Sequence, residues 1–240
     1  MSEVTRRKGA LAASWSSFAA VSDDASRSAK LRDLGRDVLS CRKCVELTRS
    51  RTLPVCGYGS SDPLVLFVGE APGRLGADTY GVPFTGDRSG VLLQKMLGEI
   101  GLASSPASAV LPKLNRTYIT NLVRCNPRSP TGNNRGPTIE EIANCSRYLV
   151  DELQILQPKV IATLGHRAAE SVLGRGILTP DYAQPIHQDG FIVFPLHHPG
   201  FVIRGGGRRK FDESAYRKEF EALRLLLSSL EQLQGTLQFG

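Results

Sequence analysis

Three short apolar runs without polar alternation stand out along the chain, at residues 64–69, 160–164 and 191–196, and Tyr118-Ile119-Thr120-Asn121-Leu122 reads as a fourth segment of the same kind. Uninterrupted runs of this length suit strands covered on both faces, as in a parallel sheet between layers of helix. Between them, apolar positions recur three and four apart, the spacing of a helix with one buried face. Leu31, Leu34, Val38 and Leu39 form one such stripe, and Val91, Leu92, Met96 and Ile100 a second. Cys145, Tyr148, Leu149 and Leu153 form a third, residues 166–173 a short helix, and Tyr216, Phe220, Leu223 and Leu227 a long closing helix over 211–234. Punctuation agrees: Ser22 or Asp23 can cap the first helix, Ser89 can open the second, and Thr138 with Glu141 makes a capping box for the third. Alternating strands and helices predict a three-layer α/β/α sandwich around a central four-stranded, mostly parallel sheet with right-handed crossovers. Ligands of such folds bind at the carboxyl ends of the strands.

At 240 residues and 41% hydrophobic, the chain can bury a full core, and its length suits one large domain, residues 26–240, behind a flexible tail, residues 1–25. Arg6, Arg7 and Lys8 imitate a targeting segment, but Ser14, Ser16, Ser17 and the Asp23-Asp24 pair break it. No apolar run reaches membrane-spanning length, so no membrane partner is expected. Five cysteines, an odd number, without a secretory leader argue against a disulfide framework and for a reducing compartment, the cytoplasm by default. The formal charge of +7 favours a polyanionic partner such as nucleic acid.

Chemistry gathers where strands end. Glu70 follows the first strand, Asn121 ends the second, and His197-His198-Pro199 follows the fourth, so three polar clusters are expected in one crevice. Four cysteines belong to the same region: Cys41 and Cys44 in a CxxC turn after the first helix, Cys125 four residues beyond Asn121, and Cys145 inside the third helix. Four thiols drawn from distant segments imply a group held between them. Cys56 stands outside this set as an ordinary thiol.

Five ordered motifs, GEAPG at 69–73, GVPFTGDRSG at 81–90, TYITNLVRC at 117–125, PTIEEIANC at 137–145 and HHPG at 197–200, resemble the iron-sulfur uracil-DNA glycosylases of families 4 and 5 over residues 38 to 230. The resemblance implies a four-iron four-sulfur cluster on Cys41, Cys44, Cys125 and Cys145. A structural zinc ion on four thiolates is the alternative, although zinc sites usually pair two close CxxC units. By the same resemblance, Phe84 stacks on an extruded base, with Gly69 and Ala71 in the pocket, and Asn121 reads the uracil edge by accepting from N3 and donating to O4. His198 would donate to the base oxygen O2, where negative charge collects, and Glu70 would position water and oppose a positive sugar. Asp87 competes with Glu70 for the water. Ser89 and Gly90 could offer backbone N–H groups to a phosphate. Phe201, Arg204, Arg208 and Arg209 read either as a wedge with phosphate contacts or as a solvated basic loop.

The chain also departs from the family pattern. Ala77-Asp78 stands where family 4 usually carries a Glu-Asp pair whose Glu is thought to crowd the thymine methyl, so strict uracil specificity does not follow from the resemblance. Residues 126–137 lack the basic loop of related glycosylases that trap DNA covalently, and no lysine nucleophile is evident. The expectation is a monomeric, monofunctional enzyme near the nucleoid that passes abasic DNA to other base excision repair enzymes. A glycosylase for a broader range of deaminated bases and a non-catalytic DNA-binding module are the alternatives. A nucleotide-binding fold competes poorly, because no GxGxxG or Walker lysine pattern is present.

Overall fold

A computed structural model describes residues 24–188, 190–207 and 211–237, so nearly all of the expected tail, and Arg208 and Arg209, lie outside the described residues. Helix α1 (Asp24–Ser40) leads through Cys41 and Cys44 into α2 (Val45–Ser50). Strand β1 (Tyr58–Gly59) precedes β2 (Val65–Gly69), α3 (Ala77–Tyr80), α4 (Arg88–Glu99) and β3 (Thr117–Asn121). Then come α5 (Ile139–Leu156), β4 (Val160–Leu164), α6 (His166–Leu173), β5 (Ile186–Gln188), β6 (Phe191–Leu196), α7 (Pro199–Ile203) and α8 (Glu213–Leu237).

The sheet order is β1-β3-β2-β4-β6-β5, with β3, β2, β4 and β6 mutually parallel. That four-strand core matches the sequence expectation, but the sheet has six strands rather than four. The additions are β1 and β5, antiparallel strands of two and three residues at the two edges. Their positions are half-buried or exposed, so they carry no continuous apolar run to read. Short strands of this kind limit the edge exposed to other chains.

Each central strand serves two cores. Leu66 and Val68 of β2 pack with Leu34 and Val38 of α1, Tyr148, Leu149 and Leu153 of α5, and Val172 of α6. Val65 and Phe67 point the other way, toward Leu93 and Met96 of α4 and Tyr216, Phe220 and Leu223 of α8. This division explains why β2, β3 and β4 are buried at every position. The Thr138–Glu141 capping box forms as expected, with Glu141 N donating to Thr138 Oγ1 at 3.1 Å and Thr138 N donating to Glu141 Oε2 at 2.8 Å.

One charge pair crosses the first core. Arg124, 2% exposed, donates to Glu152 of α5 at 2.7 Å and also bonds Thr120 of β3, while the Tyr118 hydroxyl reaches Glu152 at 3.4 Å. The pair ties the segment after β3, which runs from Asn121 at the strand end to Cys125, to the helix that holds Cys145. Removing one member strands the other charge away from water. Glu152→Ala is therefore expected to destabilise the protein by about 3–5 kcal/mol in denaturant titrations; a loss below about 1 kcal/mol, the range of exposed pairs, would contradict this account.

Candidate active site

The chain runs from β2 to β3 on one side of the sheet and then crosses to β4 on the other, creating a switch point beside β2. A crevice opens there outside the strand ends. It forms a cavity of about 520 Å³. Its lining includes Glu70 after β2, Asn121 at the end of β3, Arg167 after β4 and His198 after β6, together with Phe84 and Asp87.

Parallel pairing sets Gly69 opposite Asn121. A side chain at 69 would overlap both the Asn121 carboxamide oxygen and the Phe84 ring, so only glycine lets these two groups approach from either side. Asn121 is 2% exposed, and its Oδ1 is buried without a hydrogen-bond partner. A buried acceptor left unpaired costs about 1–3 kcal/mol. A ligand bringing an N–H to this point would recover that loss.

Phe84 has a φ of 52°, in the left-handed region where a residue with a Cβ is strained by about 1–3 kcal/mol. The Gln94 amide donates to its carbonyl at 2.9 Å, and the Thr85 hydroxyl donates to Val82 O at 2.9 Å, holding the turn in this shape. The result sets the Phe84 ring 5.8 Å from the His198 ring, with 43° between their planes.

His198 caps α7, its Nδ1 accepting from Gly200 N at 2.9 Å. That bond requires a lone pair on Nδ1 and so leaves the proton on Nε2. Burial, aided by the Arg204 charge, lowers the imidazole pKa to about 4. The site thus holds a neutral N–H donor. His197 is committed elsewhere, with Nδ1 against Glu219 at 2.6 Å and its ring stacked 3.9 Å from Tyr182.

The Glu70 carboxylate is bonded by Arg167, at the start of α6. A Cβ at position 136 would overlap the Arg167 guanidinium, so Gly136 provides the room in which this pair lies. Asp87 also lines the cavity, but its Oδ1 accepts from Gly90 N at 2.8 Å as the N-cap of α4.

Ala71, Ser89 and Arg204 line the cavity with these groups, and Gly69 lies behind Asn121 and Phe84. Two expectations need correction. The Gly90 N–H is already occupied by Asp87 and is not an open donor for a phosphate. Phe201 is not an apolar tip: residues 199–203 form helix α7, and the ring is half-buried, 5.3 Å from His197 and 6.0 Å from Phe211. Ala77 lines the cavity, while Asp78 turns away to accept from Thr52 N at 3.1 Å and pair with Arg128 at 2.6 Å.

Sequence reasoning missed the loop that closes the far wall. Asn126 donates to Pro72 O at 2.6 Å and to Asn134 Oδ1 at 2.9 Å, strapping Asn134, Arg135 and Gly136 against the loop after β2. It also missed Arg167, although LGHR follows β4 just as GEAP follows β2, and the same strand-end rule would have found it.

The four cysteines come together beside this site. Each of Cys41, Cys44, Cys125 and Cys145 lies within electrostatic reach of at least two others. Arg51 donates to Cys125 Sγ at 3.0 Å, and Asn144 donates to Cys44 Sγ at 3.6 Å. Burial raises Cys145 to about 11, and burial likewise raises Cys44 and Cys125. Cys41 is lowered instead: burial pushes it up, but hydrogen bonds from Tyr148 and the Lys43 backbone, together with the Lys43 and Arg51 charges, outweigh that. Among the described residues, no three Cys, His, Asp or Glu side chains converge as ligands of one metal ion. A donor set of four thiols with N–H groups aimed at sulfur fits a metal-sulfide cluster, whose ligands attach to different iron atoms. Cys56 lies apart, its thiol 3.7 Å from Gly35 O.

The sequence profile of the Uracil DNA glycosylase superfamily matches residues 56–223. A type-4 uracil-DNA glycosylase of Archaeoglobus fulgidus is 42% identical over 199 residues, covering 78% of this chain and 90% of that protein. A type-4 enzyme of Sulfurisphaera tokodaii is 33% identical over 78% of this chain and 82% of its own. A type-5 uracil-DNA glycosylase of Pyrobaculum aerophilum is 30% identical over 73% of this chain and 85% of its own. Type-4 and type-5 enzymes both stand among these relatives, as the motif resemblance to families 4 and 5 implies. With a doubly wound sheet, a strand-end cavity and these relatives, the chain belongs to the uracil-DNA glycosylase superfamily.

Proposed function

We propose that the protein hydrolyses the N-glycosidic bond of uracil extruded from DNA, releasing the base and leaving an abasic site. The observation that carries this reading is the buried, partnerless carboxamide oxygen of Asn121, a residue that lines the same cavity as Phe84 and a neutral His198. The uracil edge offers an N–H at N3 for the Asn121 oxygen and a carbonyl at O4 for its NH₂ group. Cytosine lacks the proton at N3 and presents an amine in place of O4, so it meets mismatched donors.

As the bond to the sugar breaks, electrons move onto the ring and negative charge grows at O2. The His198 Nε2–H, fixed by the Gly200 bond to Nδ1, is suited to hold that charge without donating its proton. Opposite it, positive charge grows on the sugar, and a carboxylate favours that state by simple Coulomb attraction. Glu70 is the better candidate for this and for placing the attacking water, because Asp87 is engaged in capping α4. The uracil anion leaves with the bonding pair, the water adds its oxygen to the anomeric carbon, and the proton the water gives up ends on the departed base. Ser89 and Arg204 at the rim are suited to DNA phosphates.

Cys41, Cys44, Cys125 and Cys145 would hold a four-iron four-sulfur cluster, which when bound joins α1, the segment after β3 and α5 as a structural staple. A second reading, activity on a wider range of deaminated bases, is favoured by Ala77, which puts only a methyl group in the cavity wall. A panel of oligonucleotides carrying uracil, hypoxanthine or mismatched thymine separates the two readings. No helix among the described residues is long and apolar enough to cross a membrane.

Uracil release from an oligonucleotide, followed by alkaline strand scission, tests these roles. His198→Ala is expected to slow it by about 10²–10³-fold, the cost of one oxyanion donor. Asn121→Ala is expected to lose at least about a hundredfold, since the site is built to bond the base edge. Cleavage at wild-type rate by both variants would contradict the assignment. Cys145→Ser should lose the brown visible absorbance of anaerobically purified protein, and unchanged absorbance would remove this cysteine from the ligand set. His198 has a folded-state pKa below that of an unfolded histidine, so its ring stays neutral down through pH 5, while the stability it contributes, fully present above about pH 6.5, is lost progressively as pH falls from there to about 4. Side-chain ¹⁵N shifts should remain those of a neutral ring between pH 8 and 5; an inflection near pH 6.5 would contradict this.

A further inference from the structure

We infer that Arg167 is a removable counter-ion for Glu70, held on the carboxylate in the free protein and drawn onto a backbone phosphate when DNA binds. The inference rests on the glycosylase reading above and concerns how Glu70 acquires its working charge. A carboxylate opposing a positive sugar is useful only if its own charge is uncancelled, yet here the Arg167 guanidinium bonds Glu70 Oε1 directly. The two side chains are 45% and 31% exposed, at the mouth of the cavity. Exposed pairs of this kind are worth only about 0–1 kcal/mol and are easily exchanged. A phosphate is a stronger partner, because guanidinium binds it by two charge-assisted bonds.

The neighbouring basic side chains are differently placed. Arg135, also in the cavity, is tied to Glu141 by bonds of 2.8 and 2.6 Å, and Arg128 is tied to Asp78 at 2.6 Å. His166, adjacent to Arg167 on α6, faces Glu170 at 3.2 Å. Arg167 alone among these is bonded to the carboxylate assigned to the chemistry. The guanidinium packs directly against Gly136, where a Cβ would overlap it, and its exposed part is the side from which a phosphate can reach it. Binding of the polyanion would thus expose the Glu70 charge as substrate arrives, and the free protein would not carry an uncompensated carboxylate at the face that approaches phosphates.

The test measures affinity and chemistry separately. Binding is read with an oligonucleotide carrying 2′-fluoro-deoxyuridine, which resists hydrolysis, and the chemical step is read as the single-turnover rate with saturating enzyme on the deoxyuridine oligonucleotide. Arg167→Gln is expected to weaken binding by about tenfold or more, the loss of one hydrogen-bonded charge contact. It should also lower the slope of log affinity against log salt by about one, with the loss falling on affinity rather than on the single-turnover rate. Arg167→Lys should restore the salt slope with only part of the affinity. An unchanged salt slope together with a tenfold fall in single-turnover rate would overturn the inference, since Arg167 would then be serving Glu70 during the reaction. Binding unchanged in both variants would also overturn it. If wild-type protein releases no uracil, the glycosylase reading itself fails, an outcome distinct from either of these.

Discussion

The site depends on the absence of a side chain at one position. Parallel pairing of β2 with β3 places Gly69 beside Asn121, and the Phe84 ring arrives from the next loop into the same space. Any Cβ there would push the carboxamide and the ring apart. Glycine instead allows a polar edge and an aromatic face to meet at the floor of one cavity, which is the arrangement a planar base requires. Backbone strain at Phe84 and a buried acceptor without a partner at Asn121 are both tolerated at this point. Costs of this kind persist where surrounding structure enforces them, and they concentrate at functional sites.

The surroundings do enforce them. Gln94 grips the carbonyl of Phe84, Asn126 straps the opposite loop to Pro72, and the buried Arg124–Glu152 pair fixes the segment just beyond Asn121. That same segment leads directly into Cys125, and the helix bearing Glu152 also bears Cys145. The four thiols and the cavity therefore share a foundation. A group binding the four thiols would stiffen the strand end that presents Asn121 without touching the cavity itself.

Much of this was legible in the chain. Residues 160–164 and 191–196 form strands with the expected bounds because their apolar runs end sharply at glycine or histidine, and residues 166–173 are helical as their spacing predicts. The edge strands were not legible, since two or three half-exposed residues carry no period. Phe201 was misread for a different reason: an aromatic residue ahead of three glycines looks like a wedge, but its partners His197 and Phe211 lie in the connecting segments before and after α7 and gather around it only on folding. Asp87 illustrates the limits of motif reading, because a carboxylate in a conspicuous loop proved to be capping a helix. The Glu70–Arg167 pair joins residues 97 positions apart, a contact that only the order of strands reveals.

A crystal structure of the protein with the product uracil tests the central claim most directly. The account predicts the ring stacked on Phe84, with Asn121 about 3 Å from N3 and O4 and His198 Nε2 about 3 Å from O2. Uracil bound elsewhere, or seated in the cavity with Asn121 still unpartnered, would contradict it.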